Sequence, residues 1–167
     1  MHDNFFGQVL AARTEDLFQA INEHNPHIVH FSGHGDMDHV ALVDSAGNTK
    51  LVKKDAIVQL FKATQDQIQV VVFNTCLSTD QAAAVAEHID VAIGMNDKID
   101  DETARVFAAR FYSAIGFGKS VNQAFEEGKA QVMLDGLPGE DIFKIYHRDE
   151  IDPSQIILVR PQFSSRQ

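Results

Sequence analysis

The sequence predicts an α/β fold, with a mainly parallel sheet and helices on both of its faces. Segments rich in β-branched residues alternate along the chain with segments whose apolar residues recur at helical spacing. The segment IQVVVFNT, residues 68–75, has an uninterrupted apolar middle of the kind that a parallel sheet buries on both faces. The 167 residues, of which 44% are hydrophobic and 23% charged, match one ordinary globular domain over residues 1–167.

The first part of the chain predicts a helix, a strand, a hairpin and a second helix. The first helix should be capped by Thr14 and should end where Asn25-Pro26 stops it. A short strand follows over HIVHFS and runs into a glycine-rich loop. Two β-prone runs around the turn SAGN predict a hairpin, and the apolar spacing after it predicts a helix over 54–62.

The second part of the chain predicts three more helices and two more strands after the buried strand. Two segments of the form S-x-x-Q have the pattern of a capping box and predict helix starts at Ser78 and Ser120. The remaining elements, in chain order, are a strand over DVAIGMN, a long helix over 102–115 and a last strand over QIILVR.

Charge and cysteine content exclude several classes of protein. The 24 acidic against 14 basic residues give a net charge of −10, which disfavours nucleic acid or an anionic membrane as the partner. A single cysteine rules out an intramolecular disulfide framework and a cysteine-rich zinc site. The chain starts without a signal-peptide pattern, and its apolar runs are too short to span a bilayer. We therefore expect a cytoplasmic protein that needs no cofactor.

Two adjoining strands end in residues of complementary chemistry. The strand HIVHFS runs into His34, and the strand QVVVFNT runs into Cys76. In open α/β sheets, sites form at the carboxyl ends of the strands. A lone cysteine at a strand end is more often a small core residue, and a lone loop histidine is usually inert. It is the pair that predicts a Cys–His hydrolase.

The surroundings of both residues fit nucleophilic catalysis. A thiol attacks a carbonyl well only as a thiolate, and the predicted helix start at Ser78 favours negative charge near Cys76. An imidazole at His34 would assist and later protonate the leaving amine. The glycines beside it allow close approach, so the Gly35 and Cys76 N–H groups are the predicted oxyanion hole.

Three motifs together resemble the CHAT domain, a caspase-related cysteine-protease module often found beside TPR repeats. They are HIVHFSGHG, VVFNTCLS and AIGMNDKIDDETARVFAARFYSAIGFGKSVNQAFEEG, which occur in the family's order over roughly residues 14–132. The resemblance implies a caspase-like three-layer sandwich, with the catalytic histidine at His34 and the nucleophile at Cys76. It also implies cleavage of peptide bonds in a specific protein partner, within bacterial signalling or defence.

One part of the family's fold has no counterpart in this sequence. Family members carry a strand and a helix ahead of the first helix found here, and residues 1–13 are too short for both. We therefore expect a fragment of a longer chain, or a form without that strand whose sheet has an open edge. Such an edge invites strand addition by another chain, which predicts a TPR-like or sensor domain or partner and weak activity alone.

Two residues are candidate substrate contacts. Many relatives in the wider clan carry an aspartate two residues before the nucleophile, which helps to select a basic P1 side chain. This chain has Asn74 there, and a neutral amide cannot pair with lysine or arginine as a carboxylate does. Asp36, in the loop after His34, is the second candidate.

A metal site and a silent module are the alternatives to the protease. The pattern His34-x-Asp36-x-Asp38-His39 is one substitution from the H-x-H-x-D-H ligand motif of metallo-β-lactamase-type hydrolases, and such side chains can hold zinc or iron. That fold needs further ligands downstream, and it leaves Cys76 unexplained, so we assign no metal ligands. A catalytically silent CHAT-like module for protein association remains open.

Overall fold

The computed structural model describes residues 13–160, which form two compact units. One unit comprises residues 13–98 with 144–149, and the other comprises 99–143 with 150–160. In chain order the elements are α1 (Leu17–His24), β1 (Ile28–Gly33), β2 (His39–Val43), β3 (Thr49–Lys53), α2 (Lys54–Ala63), β4 (Val70–Thr75), α3 (Thr79–Val85), β5 (Val91–Met95), α4 (Asp101–Gly116), α5 (Val121–Leu134) and β6 (Phe143–His147).

A four-stranded sheet in the order β1-β4-β5-β6 forms the first unit's centre. β1 and β5 both run parallel to β4, and β1 pairs with it from Ile28 opposite Val70 to Gly33 opposite Thr75. The predicted hairpin is present, with β2 antiparallel to β3. The fold-class prediction is confirmed: the chain is mixed α/β, with a mainly parallel sheet flanked by helices, as in a caspase-like sandwich.

The apolar run in β4 is buried on both faces, as its sequence predicts. Val70, Val71, Val72 and Phe73 are all at most 2% exposed. On one face, the Phe31 ring stacks on the Phe73 ring with centroids 5.4 Å apart. Each such buried side chain stabilises the fold by about 2 kcal/mol. The core cluster around this stack is drawn from the sheet, the hairpin, α1, α2 and α3.

The second unit is organised by the packing of α4 against α5. A Cβ atom at Gly128 of α5 would lie 2.7 Å from the Phe107 ring of α4, so glycine is what lets the two helices approach this closely. The Phe107 ring also stacks on the Phe143 ring. Ser120 caps α5 as predicted, because its hydroxyl accepts a hydrogen bond of 3.0 Å from the Gln123 N–H.

The predicted cap of the first helix and the predicted last strand are wrong. Thr14 does not cap α1, because residues 14–16 form a 3-10 turn and the helix begins at Leu17. The segment QIILVR is not a strand, since Gln155 ends a 3-10 turn and residues 156–160 have no regular structure. The last strand is instead β6, which the sequence reading missed. Arg148 beside it forms an ion pair with Asp90, just before β5, and Arg148 N donates to Asp90 O at 3.2 Å.

Within residues 13–160, no helix combines the length and the apolar character that crossing a membrane requires.

His30 makes the stability of the sheet sensitive to acid. Burial in β1 lowers the pKa of this imidazole from 6.5 to about 4, because the charged form loses hydration. On acidification, the His30 side chain of the unfolded chain binds a proton at a higher pH than that of the folded chain. The free energy of unfolding is therefore unaffected by His30 above pH 6.5, and it falls as the pH drops towards 4. Below that pH the accumulated loss is about 3 kcal/mol.

We expect the variant His30→Gln to lose less unfolding free energy than the wild type between neutral pH and about pH 4. Urea unfolding at both pH values measures the difference. His27→Gln, which replaces an exposed histidine just before β1, is the matched control and should keep the wild-type acid sensitivity. Equal acid sensitivity in wild type and His30→Gln would contradict the assignment to His30.

Candidate active site

The register of β1 against β4 places His34 and Cys76 at neighbouring strand ends. Gly33 and Thr75 are the last paired residues of the two parallel strands. His34 and Cys76 are the next residue of each chain segment. The His34 residue is exposed, and Cys76, the free thiol, is partly buried. The two segments that the sequence reading paired therefore leave the sheet side by side.

Gly35 packs the histidine loop directly onto the end of β4. A Cβ atom at Gly35 would lie 3.2 Å from Thr75 Cβ and 3.1 Å from His39 O. Few real Cβ atoms tolerate such short distances, so a larger residue would push the loop away from the residue that precedes Cys76. The glycine thus favours the close approach of the two loops.

Backbone hydrogen bonds fold the histidine loop back onto β2. His34 O accepts from Ala41 N at 3.1 Å, and Asp36 N donates to His39 O at 3.0 Å. These two bonds flank the bridge between Gly35 and Val40, so the bridge does not use the Gly35 N–H. The His34 backbone is held by the hairpin, and the residue is exposed.

The Asp36 carboxylate shapes this same loop. Its Oδ1 accepts from Asp38 N at 2.8 Å and contacts His39 Nδ1 at 3.1 Å. The backbone N–H of Asp38 is the main reason that the pKa of Asp36 lies below its ordinary value, with the His39 side chain adding to it. Among residues 13–160, no three His, Cys, Asp or Glu side chains are grouped so that they could hold a metal ion. The H-x-D-x-D-H pattern therefore does not assemble a ligand set in this structure.

Cys76 begins a tight turn that ends at Ser78. Leu77, between them, has a φ of 57°, a left-handed conformation that is uncommon for a residue with a branched side chain. Such backbone strain costs about 1 kcal/mol and persists only where the surroundings hold it. The surroundings here are the hydrogen bonds that Ser78 makes to the ends of β4 and β5.

Ser78 ties the Cys76 turn to the ends of two strands. Its hydroxyl donates to Thr75 O at 2.7 Å, with Phe73 O at 3.2 Å as a second acceptor of the same hydrogen, and it accepts from Met95 N at 3.0 Å. Its own N–H donates to Met95 O at 2.7 Å. The predicted capping box is wrong here, because this hydroxyl does not cap α3. α3 itself has only seven residues, so few peptide dipoles add up to favour a thiolate at Cys76.

Gly94 and Gln81 complete the supporting structure, and the sequence reading gave neither of them this role. Gly94 allows β5 to touch the Cys76 turn, because a Cβ atom there would lie 2.8 Å from Ser78 O. The Gln81 side chain reaches from α3 to the histidine loop, where Nε2 donates to Asp36 O at 2.7 Å. A glycine inside a buried strand is a known sign of close backbone approach, so Gly94 could have been found from sequence.

Asn74 lies inside β4, where it pairs in register with Ser32 of β1. It is partly buried, and side chains alternate along a strand, so Asn74 and Phe73 lie on opposite faces of the sheet. Cys76 is two residues further on, beyond the end of the strand. A contact of Asn74 or Asp36 with substrate stays a prediction.

Comparison with models of protein families identifies the family of this chain. A family model described as the CHAT domain matches residues 8–140, about four fifths of the chain. None of the curated proteins compared with the chain matches it. The matched range includes His34, Cys76, the hairpin and both helices of the second unit.

Proposed function

Since the chain belongs to the CHAT domain family, which is a caspase-like protease family, we propose that it is a cysteine endopeptidase with a Cys76–His34 dyad. The observation that carries this proposal is the register of β1 and β4, which brings His34 and Cys76 out of the sheet at neighbouring positions. The contact of Gly35 with Thr75 supports it, because it keeps the two loops together.

In the proposed reaction, Cys76 attacks the carbonyl carbon of the scissile peptide bond. The His34 imidazole takes the thiol proton, and the sulfur–carbon bond forms as the carbonyl oxygen becomes negatively charged. When the carbon–nitrogen bond breaks, the imidazolium gives its proton to the leaving amine and a thioester remains. A water molecule, deprotonated by His34, then hydrolyses the thioester and restores the thiol.

The proposed oxyanion donors are the backbone N–H groups of Gly35 and Cys76. Two preorganised donors at this position would stabilise the negative oxygen of the tetrahedral intermediate, where removing one donor typically slows a reaction by about 10²–10³. The availability of Gly35 is supported by the hydrogen bonds around it, since the bridge to Val40 is made by the flanking residues.

The substrate we propose is a specific protein partner, and the proposed setting is bacterial signalling or defence in the cytoplasm. Asn74 and Asp36 are candidate substrate contacts, and the neutral amide of Asn74 argues against a basic P1 preference. We also propose control by a TPR-like or sensor domain or a partner chain. Among residues 13–160, β1 is the terminal strand of the four-stranded sheet, so its outer edge is where such a partner could add a strand. The net charge of −10 argues against nucleic acid or an anionic membrane as the partner.

Iodoacetamide and a chelator together distinguish a cysteine protease, a metallohydrolase and a silent interaction module. Cys76 is the only cysteine of the chain, so iodoacetamide modifies a single thiol. We expect alkylation to abolish cleavage of a peptide library that is read by mass spectrometry, and a chelator to leave cleavage unchanged. Loss with the chelator alone would indicate a metallohydrolase instead. A library left uncut before and after either treatment would indicate a silent interaction module.

A further inference from the structure

The side chain of Gln81 joins the element that follows Cys76 to the loop that carries His34. Gln81 belongs to α3, five residues after Cys76, and is fully buried at 0% exposure. Its Nε2 donates to Asp36 O at 2.7 Å and lies 3.5 Å from His39 O. A buried side chain with two partners in another loop is held in one conformation, so it fixes the distance between α3 and that loop.

The two carbonyls that Gln81 contacts are the two ends of a closed turn. Asp36 N donates to His39 O, which closes the turn, and the Gly35–Val40 bridge continues directly from it. The bond from Ala41 N to His34 O comes next along the same ladder. The position of the turn therefore determines the position of the His34 backbone, because consecutive hydrogen bonds connect the two.

Within the described residues, the amide oxygen of Gln81, Oε1, has no hydrogen-bond partner although it is buried. A buried unpaired acceptor costs about 1–3 kcal/mol, which an apolar side chain of equal size would avoid. What glutamine provides here is the bond from Nε2 to the histidine loop, and the unpaired Oε1 offsets part of the stability that this bond contributes.

We propose that Gln81 is a positioning residue of the active site, whose amide holds the histidine loop against the Cys76 turn so that His34 can stabilise the thiolate. This inference rests on the proposed Cys76–His34 dyad. Gln81 acts through the loop and does not touch the reacting atoms.

The experiment measures the rate at which iodoacetamide alkylates Cys76 between about pH 5 and 9, which follows the thiolate fraction. Gln81→Met keeps the size of the side chain and removes the amide. We expect its rate near pH 6.5 to fall about tenfold, the change that a shift of one pH unit in the profile produces. His34→Ala should shift the profile in the same direction. Because the loop also carries the ionisable side chains Asp36, Asp38 and His39, each variant is compared with the wild type under identical buffers.

Val85→Ala is the matched control for loss of stability. It removes part of a fully buried apolar side chain from the same helix, four residues beyond Gln81, and takes away no hydrogen bond to the histidine loop. It should therefore lower the melting temperature and leave the alkylation profile unchanged. Gln81→Leu replaces Gln81→Met if that variant does not fold.

The outcomes separate the two proposals. A shifted profile in His34→Ala with a wild-type profile in Gln81→Met overturns the positioning role and leaves the protease proposal standing. A wild-type profile in His34→Ala overturns the dyad, and the role of Gln81 with it. A shift in both variants, without a shift in Val85→Ala, supports the inference.

Discussion

Replacement of Cys76 by alanine is expected to abolish peptide hydrolysis, with a loss of at least about 10⁴ in rate. Without the thiol no covalent intermediate can form, and hydrogen bonds to the oxyanion alone cannot replace it. His34→Ala should cost a similar amount, because the two side chains act as one nucleophile–base pair. The double variant should therefore be no slower than either single variant.

The rates are measured on the same peptide library, and circular dichroism with thermal unfolding verifies that each variant is folded. Cys76 is only partly buried, and His34 is exposed, so we expect neither substitution to disturb the core. His27→Ala is the matched control for the histidine, since it changes an exposed imidazole at the opposite end of β1. A His34→Ala variant that cleaves at the wild-type rate would disprove the dyad.

The second large effect is expected from Gly94→Ala, which we predict to destabilise the fold by about 2–4 kcal/mol. The added methyl group would lie 2.8 Å from Ser78 O and 3.0 Å from Ala82 Cβ. Every residue of β5 is buried, so the strand has no free side towards which it can move. The strain must fall on the Ser78 hydrogen bonds, and these hold the Cys76 turn.

Urea unfolding of Gly94→Ala measures the loss of stability, and iodoacetamide alkylation reports whether the Cys76 turn moves with it. Gly116→Ala is the matched control, because a Cβ atom at that position in α4 meets nothing within 4 Å. There the substitution should be neutral or stabilising, by up to about 1 kcal/mol. If both variants unfold at the same urea concentration, the close contact at Gly94 does not limit the fold.

Much of the fold follows from local patterns that the sequence displays directly. The uninterrupted apolar run of β4 required burial on both faces, and the helical spacing in α4 and α5 required one buried stripe each. The positions of His34 and Cys76 just beyond two strands also followed from the sequence, because strand ends are marked by the change from apolar to small and polar residues. Strand burial, helix stripes and strand ends depend on residues that are close together in the chain, and the sequence shows these directly.

The tertiary structure alone decided which strand completes the sheet. QIILVR has strong β-forming residues and yet forms no strand, while the less apolar FKIYH becomes β6. Placement in a sheet depends on partners distant in sequence, here the pairing of Arg148 with Asp90. Strand propensity says that a segment fits a half-buried sheet surface, but it does not say whether such a surface is available to the segment. It therefore could not predict that FKIYH and not QIILVR would form the strand.

The same limit explains why one S-x-x-Q motif became a cap and its twin did not. Ser120 lies at a partly exposed helix start, where its hydroxyl accepts from the Gln123 N–H. Ser78 is fully buried between the ends of β4 and β5, and its hydroxyl bonds to the backbone of these strands instead of to an N–H of α3. Gln81 is thereby released from the cap to reach the histidine loop. A motif fixes only the groups near it in the chain, and a buried hydroxyl binds whichever donors and acceptors the fold brings closest.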